Sequence, residues 1–326
     1  VSGAAASSSS AFRVIVVAPV YRDWDSASQL CRELDALCVD LPGADVRVLL
    51  VDDGSPDGRA GWEPLTTRAL RGLDVLVLKR NLGNQKALAT ALCHVHAHLS
   101  CDAVLVMDGD GEDRPEDAVR LIRLAMAGPP HVIFAERRRR LESPAFRAGY
   151  HVYRALHRVL TGVSVRVGNF SVLPAGVLSR LTCMPELWNT YVGAVFRSRL
   201  PCDFIPLQRG QRYRGRSHMD LVALVHHGLS GIATFQDVVA TRILLATALG
   251  MALVAMALAA VIGIRIGTDL SIPGWATSAA GLLAVLFAQL FAIAFSMVFV
   301  LIAGRTASPF IPVRDCPIFV DHIEAA

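Results

Sequence analysis

Ala103-Val104-Leu105-Val106-Met107-Asp108-Gly109-Asp110 decides the reading of this chain. A short apolar run ends in two carboxylates at i and i+2. Such a run reads as a buried strand, and the acids at its end can face one divalent cation. Hard cations such as Mg2+ or Mn2+ take oxygen ligands, commonly one or two carboxylates, and fill their shell with water and substrate phosphates. Glu112 and Asp113 lie within reach of the same loop. Glu116 and Asp117 follow Pro115 and suit the first turn of a helix, where carboxylates favour the macrodipole. A merely solvated acidic loop explains that later pair well and Asp108 and Asp110 poorly.

Outward from this strand, β-branched runs alternate with amphipathic stretches. Arg13–Ala18, Val46–Val51, Asp74–Leu78, Ala103–Met107 and His131–Ala135 read as strands. They are almost continuously apolar, as strands covered on both faces are. Leu30, Cys31, Leu34, Leu37 and Cys38 share one helical face, and Ala118, Leu121, Ile122 and Ala125 share another. The alternation predicts an open α/β sheet with right-handed crossovers, which binds ligands beyond the carboxyl ends of its strands. Polar groups gather at those ends: Asp23, Asp52 and Asp53, Asn81, Asp108 and Asp110, and Arg137. Farther on, Ser143–Leu160 and Met219–Phe235 read as helices and Asn169–Leu173 as a short strand.

Further segments carry candidate chemistry. Val51-Asp52-Asp53-Gly54-Ser55-Pro56-Asp57-Gly58 ends a strand in two acids that can bond a base or ribose, although a tight turn accounts for Ser55 to Asp57. Arg80 to Leu88 (RNLGNQKAL) opens a helix beside Lys86, an arrangement that suits an anion. Arg137 to Arg140 form a charge run in which Arg137 and Arg140 are the candidates for phosphate, while Arg147 and Arg154 extend a basic face toward anionic headgroups. His94, His96 and His98 resemble a metal comb, but only the i and i+4 members share a helical face and no third ligand is in view.

Composition separates the chain into two parts. Mean hydropathy is +0.44 over 326 residues, and the excess lies near the C-terminus. Ile243–Ile264 and Trp275–Ala303 are uncharged and long enough to cross a hydrocarbon core of ~30 Å. Arg242 precedes the first span and Arg305 and Arg314 follow the second, which places both flanks in the cytoplasm. Arg265, balanced by Asp269, lies in the short connecting loop. The expected organisation is a flexible tail over 1–11, a catalytic domain over 12–218, interfacial helices over 219–242, two transmembrane helices over 243–304 and a cytoplasmic tail over 305–326. Seven scattered cysteines without a CxxC suggest a reduced compartment, and a net charge of +4 does not indicate nucleic-acid binding. Gly250, Ala255, Ala259 and Gly263 are small residues of the kind that pack helices together in a homo-oligomer, against the simpler reading of lipid exposure.

Taken as a set, Pro19-Val20-Tyr21, VDDGSPDG at 51–58, RNLGNQKAL at 80–88, MDGDGEDRPED at 107–117 and RRRRLES at 137–143 resemble family 2 glycosyltransferases of the GT-A fold. The closer resemblance is to polyprenyl-phosphate glycosyltransferases, the group of dolichol-phosphate mannose synthases and bactoprenol glucosyltransferases. It covers about residues 12–240, and the two membrane helices match the bactoprenol subgroup. The resemblance implies that Pro19, Tyr21, Asp23 and Asp53 contact the nucleoside, that Asp108, Asp110 and Glu112 ligate Mg2+ or Mn2+, and that Arg137 and Arg147 steer phosphate. It also implies that the basic stretch Gln211–His218 is a mobile loop near the active site. Two positions depart from the pattern: Glu112 stands where relatives often carry Gln, and Asn169 stands where many carry an Asp.

The implied activity is inverting transfer of a sugar from a UDP- or GDP-sugar to polyprenyl phosphate at the cytoplasmic face of the inner membrane, with Asp110, Asn169, Arg137 and Arg140 as catalytic candidates. Asp52, Lys86, Asp108 and Arg147 join the donor-binding candidates. The rivals are a transferase with a glycolipid or polysaccharide acceptor and a non-catalytic membrane scaffold of the same fold.

Overall fold

The computed structural model describes residues 11–137, 154–163, 167–214, 228–268, 274–306 and 309–325. β1 (Phe12–Val20), β2 (Ala44–Asp52), β3 (Gly72–Leu78), β4 (Ala103–Val106) and β5 (Val132–Arg137) are the five strands read from the sequence, most of them slightly longer. β6 (Val167–Pro174) contains the expected sixth, while β7 (Cys202–Leu207) and β8 (Val320–Ala325) add two more. Their order is β7-β5-β6-β4-β1-β2-β3-β8. β1 pairs in parallel with β2 and β4, and β2 with β3. β6 runs antiparallel between β4 and β5, and β8 runs antiparallel along β3. The chain therefore steps outward from β1 to β3, then returns across β1 to β4. Ligand clefts in open sheets form at such a reversal.

Both sheet faces are covered. Val14, Val16 and Ala18 of β1 pack with α1 (Trp24–Cys38) and α3 (Pro115–Ala127), where Leu30, Leu34, Leu121 and Ile122 are buried. Ile15 and Val17 pack on the opposite side with α2 (Asn84–His98), α4 (Leu178–Leu181) and α5 (Tyr191–Arg197). Each buried leucine of these layers contributes about 1.5–3 kcal/mol of transfer free energy. Asp35 of α1 accepts the backbone N–H groups of Arg68, Ala69 and Leu70 and so fixes the approach to β3. Burial opposes its charge, but those three donors hold its carboxyl below the usual value.

The segment expected to be a tail is part of this domain. Its residues form α8 (Pro312–Asp315), a 3-10 turn (Cys316–Phe319) and β8, and they group with the sheet. The outer edge of β3 supplied a partner that hydropathy alone does not reveal.

Residues 147–164 and 235–309 form a second unit. Its α6 (Gln236–Gly267) and α7 (Trp275–Thr306) have 32 residues each and contain the two expected spans. At 1.5 Å per residue each is ~48 Å long. Only 11% of the most apolar window of α6, and none of that of α7, is buried. These helices are long and apolar enough to cross a membrane, and their exposure distinguishes them from core helices. Gly250 packs toward α7, since a Cβ there would lie 3.2 Å from Leu290. The described parts of the two other expected helices are helical over 154–161 and 228–233.

Candidate active site

The turn after β2 lies against the loop after β3. Asp53 donates its N–H to the Val20 carbonyl (2.9 Å) at the end of β1. Its carboxylate accepts the N–H groups of Leu82 (2.7 Å) and Gly83 (2.8 Å). Burial, reinforced by the neighbouring Asp52, pushes Asp53 up to about 6 despite those two donors. Gly54 makes the contact possible: its φ is +68°, and a Cβ would lie 2.4 Å from the Arg80 carbonyl carbon. Asp52 accepts the Ser55 N–H (2.9 Å), as a turn residue does. Both acids thus build the loop, a role the nucleoside reading leaves out. Pro19, next to the end of β1, lies opposite Val51, Tyr21 is exposed just beyond the strand, and Asp23 occupies the N-cap of α1 without a side-chain capping bond.

The acidic loop follows β4, at the reversal point. Asp113, 2% exposed, accepts the Asp108 N–H (2.9 Å), and Asp110 accepts the Glu112 N–H (3.0 Å). The segment after β7 lies directly on this loop. Gly210 donates to the Glu112 carbonyl (2.8 Å), and Tyr213 donates to the Asp110 carbonyl (2.9 Å). The Arg212 guanidinium pairs with Asp110 and that of Arg209 with Glu112. Burial works against the Arg209 charge, whereas Asp110 and Asp108 support it. Gly111 has φ +86°, and a Cβ there would sit 2.7 Å from the Tyr213 ring. The Tyr213 hydroxyl donates to Glu33 (2.6 Å), and Arg214 pairs with Asp25 (3.0 Å). The described part of the loop expected to be mobile is therefore tied to the acidic loop and to α1. Residues 215–218 lie outside the described residues.

A relay of amides connects the acidic loop to β6. Asn84 donates to Asp108 (3.4 Å), and Asn169 donates to Asn84 (3.2 Å). Gln85 donates to Asn169 (3.2 Å) and accepts the Tyr191 N–H (2.9 Å). Both ends of the Asn169 amide are engaged, so it acts here as a spacer between helix α2 and the sheet. An amide has no basic lone pair comparable to a carboxylate, which removes general-base chemistry from this position.

Of the three expected carboxylate ligands, Asp110 and Glu112 each pair with an arginine, Arg212 and Arg209. Among the described residues no three acidic, His or Cys side chains converge on one point. Asp108 and Asp110 stand two residues apart on the loop after β4, and two hard oxygen donors fit a cation whose other ligands come from water and a diphosphate. The histidine comb is likewise no metal site: the His94 and His98 rings pack on each other with centroids 4.8 Å apart. Lys86 places its Nζ 5.4 Å from the centroid of the Trp188 ring. Arg137 is the last residue of β5 rather than the first beyond it, and Arg140 and Arg147 lie outside the described residues. Asn84, Gln85 and Tyr213 lie in segments that the sequence marked, 80–88 and 211–218, without singling them out, and Arg209 was missed. Dense basic residues from 209 to 214 were the available signal.

Residues 15–178, half of the chain, match the profile described as Glycosyl transferase family 2. The chain belongs to this family. Among its relatives is the undecaprenyl-phosphate 4-deoxy-4-formamido-L-arabinose transferase of Edwardsiella ictaluri (strain 93-146), 30% identical over 225 residues, 65% of this chain and 65% of that one. The protein of the same name from Erwinia tasmaniensis is 30% identical over 224 residues, 66% of this chain and 65% of that one. The match thus spans just under two thirds of these curated relatives. A crystal structure of glucosyl-3-phosphoglycerate synthase from Mycobacterium tuberculosis, in complex with Mn2+ and UDP-glucose, is similar with a TM-score of 0.50 and 18% identity, covering 70% of this chain and 79% of that one. That likeness shows the fold, a GT-A domain, as the motifs implied.

Proposed function

We propose that the protein is a membrane-attached, inverting glycosyltransferase that moves a sugar from a UDP- or GDP-sugar to polyprenyl phosphate. The observation that carries this reading is the acidic pair Asp108 and Asp110 at the sheet reversal, faced by Arg212. It offers a seat for a nucleoside diphosphate. The names of the relatives and the two exposed apolar helices support a lipid phosphate as acceptor.

An acceptor phosphate oxygen would attack the anomeric carbon from the face opposite the diphosphate. A new C–O bond forms as the bond to the diphosphate breaks, and the nucleoside diphosphate leaves. Mg2+ or Mn2+ held by Asp108 and Asp110 would supply charge stabilisation to the leaving diphosphate. Arg212 and Arg209 would turn from the carboxylates to diphosphate oxygens, which guanidinium groups bind through paired N–H donors. A phosphate monoester has a second pKa of about 6, so the acceptor needs little help in losing its proton. Asn169 would position rather than deprotonate it. Tyr21, Asp23 and Pro19 line the rim where the nucleoside would lie, and Arg137, Arg140 and Arg147 would steer phosphate groups. The catalytic domain would face the cytoplasm from the inner membrane, with α6 and α7 as anchors beside the acceptor.

The test is to incubate membranes carrying the protein with polyprenyl phosphate, Mg2+ or Mn2+, and a panel of UDP- and GDP-sugars. The lipid product is then weighed by mass spectrometry. One donor should yield a glycosylated polyprenyl phosphate. Transfer only to a glycolipid or polysaccharide, or no product with any donor, overturns the reading.

A further inference from the structure

Resting on that reading, we infer that the segment Phe310–Phe319 is a strap that positions Arg80 and Lys86 for the donor diphosphate. The strap reaches the site loop at several points. The Lys79 N–H donates to the Phe319 carbonyl (2.9 Å), and the Lys79 ammonium to the Ile318 carbonyl (3.0 Å). Arg80 lies over the Phe319 ring, 5.6 Å from its centroid. Trp188 carries Lys86 on one side and stacks with Phe310 at 4.2 Å and Phe319 at 5.4 Å.

These contacts bracket residues 79–86 from both ends. Between them, Asn84 bonds Asp108 and Gln85 bonds Asn169. The bracketed loop is thus the one that adjoins the acidic pair. The strap is itself fixed on the same domain. Val313 donates its N–H to the Thr182 carbonyl (2.9 Å), Cys316 is buried beside Cys93 of α2, and β8 continues from Phe319 along β3. A plain structural clamp needs no cations on its aromatic rings. Here Arg80 and Lys86, the basic residues on either side of Asn84 and Gln85 in the chain, rest on them, and an aromatic face holds a cation in place without neutralising it, leaving its charge for an anion. Trp188 and Phe319 are therefore positioning residues.

The experiment uses the purified full chain in lipid nanodiscs, with the variants Phe319→Ala, Trp188→Ala and Trp188→Phe. Amide hydrogen exchange over residues 79–87 should quicken in both alanine variants and return in Trp188→Phe. Donor KM should rise about five- to tenfold with kcat within about twofold of wild type, the scale of a lost cation–aromatic contact, and the phenylalanine variant should recover most of it. Unchanged exchange and KM in both alanine variants overturn the inference. So does a loss confined to kcat that follows the fall in thermal midpoint, since that marks a purely structural part. A wild-type chain that transfers no sugar sinks the functional reading instead. Exchange at 79–87 and binding of UDP and GDP then still decide the role of the strap.

Discussion

The Arg212 guanidinium rests on the Asp110 carboxylate, two residues 102 positions apart in sequence. A cation at the acidic pair must compete with this arginine, and a bound diphosphate would recruit it. Arg212→Gln should therefore tighten Mn2+ binding to the free protein several-fold, because Asp110 loses its compensating charge, yet raise donor KM about tenfold or more. Electron paramagnetic titration of Mn2+ and donor saturation curves read the two effects. Shifts in the same direction would contradict the competition.

Asp108→Asn and Asp110→Asn keep the shape of the acidic loop and remove one charge each. Transfer should fall about 100- to 1000-fold in kcat/KM for either, with thermal midpoints close to wild type. Near-normal turnover in both would show that the acidic pair plays no part in the reaction.

Gly111→Ala meets two penalties: a left-handed backbone and the Tyr213 ring. It should destabilise the domain by about 2–3 kcal/mol, of which about 1–2 kcal/mol is backbone strain. In a Tyr213→Ala background only the strain remains, so a double-mutant cycle from thermal melts should give a clear coupling energy. Strict additivity would place the ring elsewhere.

Asp35 and Asp53 give opposite pH responses. The Asp35 carboxyl is held low in the fold, so its stabilisation is present above about pH 4 and lost as pH falls through the folded value. Asp53 sits at about 6, above its unfolded value. Between about pH 4 and 6 the unfolded chain ionises there first, so stability declines as pH rises across that window and is level beyond it. Thermal midpoints from pH 3 to 8 should lose the acid limb in Asp35→Asn and the decline in Asp53→Asn. Asp35→Ala, which strands three backbone donors, should cost about 2–3 kcal/mol at pH 7.

The parallel core was legible because strands covered on both faces must be apolar at nearly every position, as β1, β4 and the Val48–Val51 part of β2 are. The acidic pair was legible because little else explains two aspartates directly after such a strand. The partners of these residues were not. Arg209 and Arg212 come from a segment about a hundred positions later, and nothing local specifies where it folds back. The aspartates after β2 looked like ligand groups because the backbone N–H groups they accept, at Ser55, Leu82 and Gly83, leave no trace in composition. β8 escaped for a further reason: an edge strand with five of its six residues exposed has no apolar signature.

The pairing of β8 with β3 also sets a timetable. β3 is complete at Leu78, but its neighbour begins only at Val320, after both apolar helices. At about 5–20 residues per second on the ribosome, the Val75-Leu76-Val77-Leu78 border stays unpaired for tens of seconds while the chain through α6 and α7 is made. A bare border of that kind is a template for association with other nascent chains. Biogenesis of this protein thus includes an interval of vulnerability that ends only when the sheet receives β8.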